Sequence, residues 1–230
     1  MIEVAVVIPI YKPDLTDSEI KSFKQCLLVL ANHPLILIGP NGLDTSLYES
    51  LAGRNLQYIP FSKKYFTSVM GYSELLLNKK FYCQFEAYKY ILIYQLDAWI
   101  FKDDLSYWCQ QNYDYIGAPW IISYNLLSKN PLHINNLLNN KVGNGGLTLR
   151  KIKPHMQWAW WVSLLFKLHA QNEDVLWSLA VPFKKPDLFK ALHFAFELNP
   201  KKCYERIGNH LPFGCHAWQK YEPEFWKQFI

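Results

Sequence analysis

The chain has 230 residues, of which 50% are hydrophobic and 19% are charged. This composition excludes a disordered or collagen-like chain, and a chain of this length buries roughly 70–75% of its unfolded surface on folding. The 24 Lys and Arg residues exceed the 19 Asp and Glu residues, which gives a net charge of +5. No run of five like charges occurs, so we expect no nucleic acid as a partner. The mild positive excess favours an anionic small substrate or an anionic membrane surface, and solubility alone is the alternative explanation.

The five cysteines include no CxxC pair, and no secretory signal precedes the first apolar run. Both features favour reduced thiols, so we expect a cytoplasmic protein. No stretch of 18 uncharged apolar residues occurs, which argues against a membrane span. An aromatic segment further along the chain leaves a peripheral contact with the inner membrane open.

The first third of the chain alternates between strand and helix patterns. Apolar runs typical of buried strands cover residues 4–10, 35–38 and 56–59. Thr16 and Glu19 form a capping box before a predicted helix, and Asp44 is placed to cap a short helix that ends at Leu51. The order strand–helix–strand–helix–strand predicts a Rossmann-like, parallel α/β sheet.

Further strands are predicted at residues 90–94, 113–116 and 147–150, and further helices at residues 67–78, 154–169 and 173–179. Residues 125–141 are rich in Asn and Leu without clear periodicity, and they are predicted to form a surface loop. The last fifty residues are aromatic and are predicted to be irregular. Because no linker or repeat interrupts the chain, the prediction is one α/β domain over residues 1–230, with a mostly parallel central sheet flanked by helices.

The first candidate site residue is Asp97, which closely follows the predicted strand at residues 90–94. Ligands of open parallel sheets bind beyond the carboxyl ends of the strands. A carboxylate at such a position can hold a divalent metal ion while substrate phosphates complete the coordination shell. A helix cap or a structural hydrogen bond is the alternative role, and the residues alone do not choose between the two.

Two polar segments in the second half are also candidates. Glu173 and Asp174 begin a predicted helix, where acids commonly stabilise the helix dipole, and a general base is the alternative. The glycine-rich residues 143–146 form either a tight turn or a place where a ligand approaches the backbone. They match neither the dinucleotide-binding nor the Walker pattern.

The predicted helix at residues 154–169 contains Trp158, Trp160 and Trp161. Such a stripe usually packs in a core, but three Trp residues within four positions cannot all face inward. We therefore expect at least one exposed ring, and this face is a candidate for contact with an anionic membrane.

Five motifs follow one another at residues 93–99 (IYQLDAW), 114–120 (DYIGAPW), 142–150 (VGNGGLTLR), 172–175 (NEDV) and 212–218 (PFGCHAW). Together they resemble a bacterial family of glycosyltransferase-like domains associated with surface polysaccharide synthesis. The resemblance extends from about Val4 to Phe229. It implies a single GT-A-type domain in which residues 1–120 bind a nucleotide-sugar donor and residues 121–230 bind the acceptor.

The resemblance implies that Pro9, Tyr11 and Lys12 lie near the donor nucleotide. The Asp-x-Asp motif of many GT-A enzymes corresponds here to residues 95–97 (QLD), so Gln95 replaces the first acid. Asp97 would still contribute to binding of the nucleotide-sugar donor. With His216 it would hold a divalent metal ion, Mn²⁺ or Mg²⁺.

On the acceptor side, the resemblance implies that Asp174 is the catalytic base of an inverting enzyme, with Glu173 as the alternative. Gly145, Gly146 and Trp120 would contact the donor sugar or the acceptor. The implied activity is that of a hexosyltransferase-type enzyme that moves a sugar from a nucleotide-sugar donor to a glycan or lipid-linked acceptor.

Two other functions stay open at this point. Because Gln95 stands where an acid is expected, the chain could bind a sugar or a nucleotide without catalysis. A nucleotidyltransferase can also combine a Rossmann-like sheet with a metal-binding acid. It would release pyrophosphate rather than a nucleoside diphosphate.

Overall fold

The computed structural model describes residues 2–230, in which nine strands form two sheets. The strands are β1 (Ile2–Pro9), β2 (Leu35–Pro40), β3 (Gln57–Phe61), β4 (Tyr88–Tyr94), β5 (Ala98–Ile100), β6 (Tyr115–Gly117), β7 (Leu147–Lys151), β8 (Ala195–Phe196) and β9 (Gly214–His216). The helices before the second half are α1 (Asp17–Val29), α2 (Ser46–Ala52), α3 (Val69–Leu77), α4 (Lys79–Cys83) and α5 (Leu105–Gln110). Those that follow are α6 (Ile134–Leu138), α7 (Ile152–His169), α8 (Glu173–Leu179), α9 (Leu188–Phe194), α10 (Pro200–Arg206) and α11 (Pro223–Trp226).

The central sheet has six strands in the order β3-β2-β1-β4-β7-β6. Strands β3, β2, β1 and β4 are parallel, and β7 runs antiparallel between β4 and β6. The predicted α/β fold with a mostly parallel central sheet is therefore confirmed. Strands from both predicted halves join this one sheet, and the division at residue 120 stays a prediction.

The central sheet is buried on both faces, as the unbroken apolar sequence of β1 requires. Val4, Val6 and Ile8 pack into one hydrophobic cluster together with residues of α1. Ala5 and Val7 pack into a second cluster on the other face, which includes residues of α3, α4, α7 and α8. Successive strand side chains point to opposite faces, so one run of residues supplies both cores.

The last fifty residues are more regular than the sequence predicted. They contain helices α9 to α11 and the strands β8 and β9, which join β5 in the second sheet. Strand β5 pairs antiparallel with β9, which places Ala98 opposite His216. Because β8 and β9 have two and three residues, they are too short to show a periodic pattern in the sequence.

The helix starts test the predicted caps. Thr16 caps α1, and the reciprocal hydrogen bonds with Glu19 that define a capping box are present. Helix α2 starts one position later than predicted, with Thr45 as its N-cap residue. Asp44 still satisfies the helix start, because its Oδ1 accepts a hydrogen bond from the backbone N–H of Ser46 at 2.9 Å.

Helix α7 confirms the expectation that at least one Trp of its stripe is exposed. Trp160 is 67% exposed, while Trp158 and Trp161 are half-buried and pack against the second cluster. Within residues 2–230, no helix is both long enough and apolar enough to cross a membrane.

Candidate active site

A cleft of about 510 Å³ opens at the carboxyl ends of β1 and β4. Pro9 at the end of β1 and Tyr11 just after it line the cleft, as do Gln95 and Asp97 after β4. The opposite wall is formed by residues 66–69 and Tyr72, at the start of α3. The loops after two adjacent parallel strands meet here, which is where ligands of such sheets bind.

Asp97 and His216 meet at the edge of this cleft. The Asp97 Oδ1 atom lies 3.0 Å from the His216 Nε2 atom, although the direction of the contact is not that of a hydrogen bond. On the other side of the ring, Nδ1 lies 3.2 Å from Oε1 of the buried Glu197. The pairing of β5 with β9 brings these residues together, because it joins the segment after Asp97 to the strand that ends at His216.

The charges of this cluster favour a cation between the two carboxylates. Burial disfavours the ionised form of Asp97, but the neighbouring His216 outweighs that cost and holds the pKa of Asp97 below its usual value. Burial alone would lower the pKa of His216, whereas Asp97 and Glu197 together raise that pKa to about 10. A proton on the imidazole ring supplies the positive charge that the two carboxylates favour, and a metal ion at the same place would supply it as well.

Gly146 packs directly on the imidazole ring. A Cβ atom at Gly146 would collide with the His216 Nε2 atom. At Gly145, a Cβ atom would lie 2.6 Å from Glu173 Oε1 and 3.3 Å from the Asp174 Cβ atom. The two glycines are therefore needed because β7 begins where His216 and the start of α8 converge.

Glu173 is buried and forms an ion pair with the fully buried Arg150, at 2.9 Å between Oε1 and Nη2. The Arg150 guanidinium also donates hydrogen bonds to Thr148 Oγ1 at 2.9 Å and to Tyr82 Oη at 3.2 Å. Glu173 is the first residue of α8, so this ion pair fixes the start of α8 against β7. Its geometry favours a positioning role for Glu173.

Asp174 is half-buried beside the glycines. Its Oδ2 accepts a hydrogen bond from the Gly145 N–H at 3.2 Å, and its Oδ1 accepts one from the Val175 N–H at 2.8 Å. Burial, and then the negative charge of Glu173, raise the pKa of Asp174 to about 7. A carboxylate with this pKa can take up and release a proton near neutral pH, which is the property of a general base.

The remaining predicted residues lie at different distances from the cleft. The Tyr11 ring lines the cleft and is 58% exposed. Lys12 forms an ion pair with Glu19 at 2.8 Å. Gln95 lines the cleft, and its backbone N–H donates to the Gly146 carbonyl at 2.9 Å. Trp120 is only 8% exposed and does not line the cleft.

Sequence reasoning missed three residues of this region. Arg150 is the last residue of the motif at residues 142–150, and Glu197 and Tyr72 lie outside all five motifs. Within residues 2–230, the hydroxyl of Tyr72 and the Oε2 atoms of Glu197 and Glu173 are buried without a hydrogen-bond partner. Isolated polar residues in apolar surroundings carry no spacing pattern, so burial in the folded chain is the only signal that identifies them.

The fold recurs among solved glycosyltransferases. The chain resembles core-mannan synthase A of Aspergillus fumigatus in its Mn/GDP form, with a TM-score of 0.58, 10% identity, and coverage of 80% of this chain and 72% of that one. It resembles the glycosyltransferase GlyE of Streptococcus pneumoniae with a TM-score of 0.59 and 11% identity, over 100% of this chain but only 57% of GlyE. A third match is the galactosyltransferase LgtC bound to donor and acceptor sugar analogues, with a TM-score of 0.54, 11% identity, and coverage of 92% and 86%.

These matches establish the class of fold, which is that of the GT-A glycosyltransferases. The chain belongs to the family described as a protein of unknown function, DUF5672, whose model matches residues 55–216. A sequence search of curated proteins finds no match.

Proposed function

We propose that this protein is a nucleotide-sugar-dependent glycosyltransferase that acts on a hydroxyl group of a glycan or lipid-linked acceptor. The observation that supports this proposal most is the meeting of Asp97 and His216 beside the cleft that Pro9 and Tyr11 line. Solved proteins that share the fold are named as glycosyltransferases. The five sequence motifs, by resemblance, favour an acceptor from bacterial surface polysaccharide synthesis.

The donor would bind across the carboxyl ends of β1 and β4. The exposed Tyr11 ring offers a flat surface on which a nucleotide base can stack. Lys12 is close enough to the cleft to attract a phosphate, although that phosphate would compete with Glu19 for the ammonium group. Gln95 and Asp97 would then face the diphosphate and the sugar.

The residues of the cluster fit a divalent metal ion. His216 Nε2 is buried without a hydrogen-bond partner in the described part of the chain, while Glu197 holds Nδ1. A carboxylate on one ring nitrogen is the usual support for a histidine that ligates metal through the other. Asp97 and His216 would be the two protein ligands, because the Asp97 Oδ1 atom and the His216 Nε2 atom lie 3.0 Å apart beside the cleft. Within residues 2–230, no group of three or more acidic, His or Cys side chains is arranged to hold an ion, so the donor phosphates would complete the coordination shell. Bound there, Mn²⁺ or Mg²⁺ would offset the negative charge that develops on the departing diphosphate.

Asp174 is the proposed base. The acceptor oxygen forms a bond with the anomeric carbon as the bond from that carbon to the diphosphate breaks, and the hydroxyl proton passes to the Asp174 carboxylate. The Gly145 N–H and the start of α8 hold this carboxylate in place, and the Arg150–Glu173 ion pair anchors the helix. A single displacement of this kind inverts the configuration of the sugar.

A transfer assay with a panel of nucleotide sugars tests the proposal. Asp174→Asn should lower turnover by at least about 100-fold, the usual contribution of a positioned acid–base group. Asp97→Ala should lower turnover by a similar factor, because it removes a proposed ligand of the metal ion that would offset the charge of the leaving group. Asp174→Asn should keep donor binding, since its carboxylate acts on the acceptor. Asp103→Ala is the matched control, because Asp103 forms a similar pair with His33 at 2.9 Å on a different part of the surface.

The products separate the alternatives. Release of a nucleoside diphosphate together with a glycosylated acceptor supports the transferase. Release of pyrophosphate would identify a nucleotidyltransferase. Donor binding without turnover on any acceptor would favour a binding module, as the Gln95 substitution in the motif allows.

A further inference from the structure

The outer face of α7 has an unusual composition. Six of its exposed residues are Lys153, Gln157, Trp160, Leu164, Lys167 and Leu168. At 3.6 residues per turn, these six fall within an arc of about 100°, so they form one continuous stripe, here called the α7 face. Trp160, Leu164 and Leu168 are 67%, 45% and 66% exposed. The exposed face of a surface helix is normally polar, whereas half of this stripe consists of large apolar side chains.

The charge on α7 is positive, since the helix contains Lys153 and Lys167 and no Asp or Glu. The surrounding residues 115–172 also lack Asp and Glu, although Arg150 within this run is buried and paired with Glu173. The neighbouring α4 packs against α7 and adds the exposed Lys79 and Lys80. Just before α4, the Leu77 carbonyl at the end of α3 accepts a hydrogen bond from Ser163 Oγ of α7. One acidic residue, Glu86, lines the same surface cleft as Lys153 at the beginning of the stripe.

We propose that the α7 face binds the surface of an anionic lipid bilayer. Apolar side chains in the middle of the stripe can enter the headgroup region, where the amphipathic ring of Trp160 is especially favourable. Lys153 and Lys167 stand near the two ends of the helix, about 21 Å apart at 1.5 Å per residue, and both can reach anionic headgroups when the helix lies flat. The stripe itself carries two lysines and no acid, which favours an anionic bilayer over an apolar protein surface of mixed charge.

The position of the face relates it to the candidate active site. Helix α7 ends at His169 and α8 begins at Glu173, so three residues separate the helix that carries the α7 face from the helix that carries Asp174. An acceptor anchored in the same bilayer would therefore be held on the side of the molecule where the proposed base lies. This last consequence rests on the proposed function, whereas bilayer binding itself does not.

Flotation with lipid vesicles tests the proposal on the full chain. We expect the protein to float with vesicles of phosphatidylcholine and phosphatidylglycerol at a 7:3 ratio, and not with pure phosphatidylcholine. Lys153→Gln combined with Lys167→Gln should weaken binding about 25-fold, since each basic residue near such a surface contributes about fivefold. The triple variant Trp160→Ser, Leu164→Ser, Leu168→Ser should remain in the unbound fraction. Leu28→Ser, at a position that is 75% exposed on α1, is the matched control and should float like the wild type.

Three results would overturn the proposal. The wild type could fail to bind anionic vesicles, or the triple variant could bind as well as the wild type. Light scattering could also show a dimer that the triple variant dissociates, which would make the α7 face an interface between two copies. Sugar transfer to a water-soluble acceptor, measured without vesicles, is independent of all three results and reports separately on the proposed function.

Discussion

Asp97 and His216 are 119 positions apart in the chain, yet 3.0 Å separates their side-chain atoms. Both were candidates from the sequence, because each lies in a motif that resembles a glycosyltransferase family. Glu197 and Arg150 were not candidates from the sequence. Glu197 nevertheless holds His216 in place, and Arg150 holds Glu173. Motif resemblance identifies residues that a class shares, whereas a buried supporting charge depends on the packing of this particular chain.

The raised pKa of Asp174 predicts how activity depends on pH. Because a base must be ionised, turnover should rise with pH through about 7. Glu173→Gln removes the neighbouring charge that contributes to this raised pKa, so the rising limb should move to lower pH by about one unit. The measurement is the pH profile of kcat/KM for both forms. An unchanged profile in Glu173→Gln would show that Asp174 does not control the step.

The same pKa has a consequence for stability. The pKa of Asp174 is raised from 3.8 in the reference state to about 7 in the folded chain, so folding favours the protonated form. The stabilising contribution is complete below pH 3.8 and is lost as the pH rises through 7. Asp174→Asn cannot ionise, so above pH 7 it should be at least as stable as the wild type. This comparison, made by denaturant unfolding, shows that a loss of turnover in the variant does not come from unfolding.

At the scale of elements, the long apolar runs predicted the central strands, and the capping box predicted the start of α1. Strands β5, β8 and β9 were not predicted, because each has two or three residues and cannot show a period. These short strands form the second sheet and bring His216 to Asp97. The candidate site is therefore completed by the part of the fold whose sequence pattern is weakest.

Gly146, just before β7, gives a direct test of this arrangement. Gly146→Ala places a Cβ atom against the His216 ring, so the ring must move away from Asp97. We expect a loss of about 1–3 kcal/mol in the free energy of unfolding and at least about tenfold weaker metal-dependent nucleotide binding.

Gly53→Ala is the control for that variant. Gly53 has a φ of 62° and open space around it, so the alanine strains the backbone without touching the site. This variant should lose stability and keep nucleotide binding. Equal binding losses in the two variants would mean that the effect comes from stability alone and not from the position of His216.

At the scale of the whole molecule, we propose that one cleft binds a nucleoside diphosphate beside Asp97 and His216. The parallel strands β1 and β4 deliver Tyr11 and Asp97 to the same edge, and β7 and α8 bring Gly145 and Asp174 next to it. The fold class was predictable because it depends on the order of long elements. The identity of the donor was not, since specificity depends on the shapes of loops that differ between proteins of one fold.

The most direct test is a calorimetric titration of UDP, GDP, CMP and dTDP, each with and without Mn²⁺. We expect micromolar binding of one nucleotide, strengthened by Mn²⁺, abolished by Asp97→Ala and unchanged by Asp103→Ala. Absence of binding for every nucleotide, or binding that Asp97→Ala leaves intact, would contradict the assignment of this cleft as the donor site.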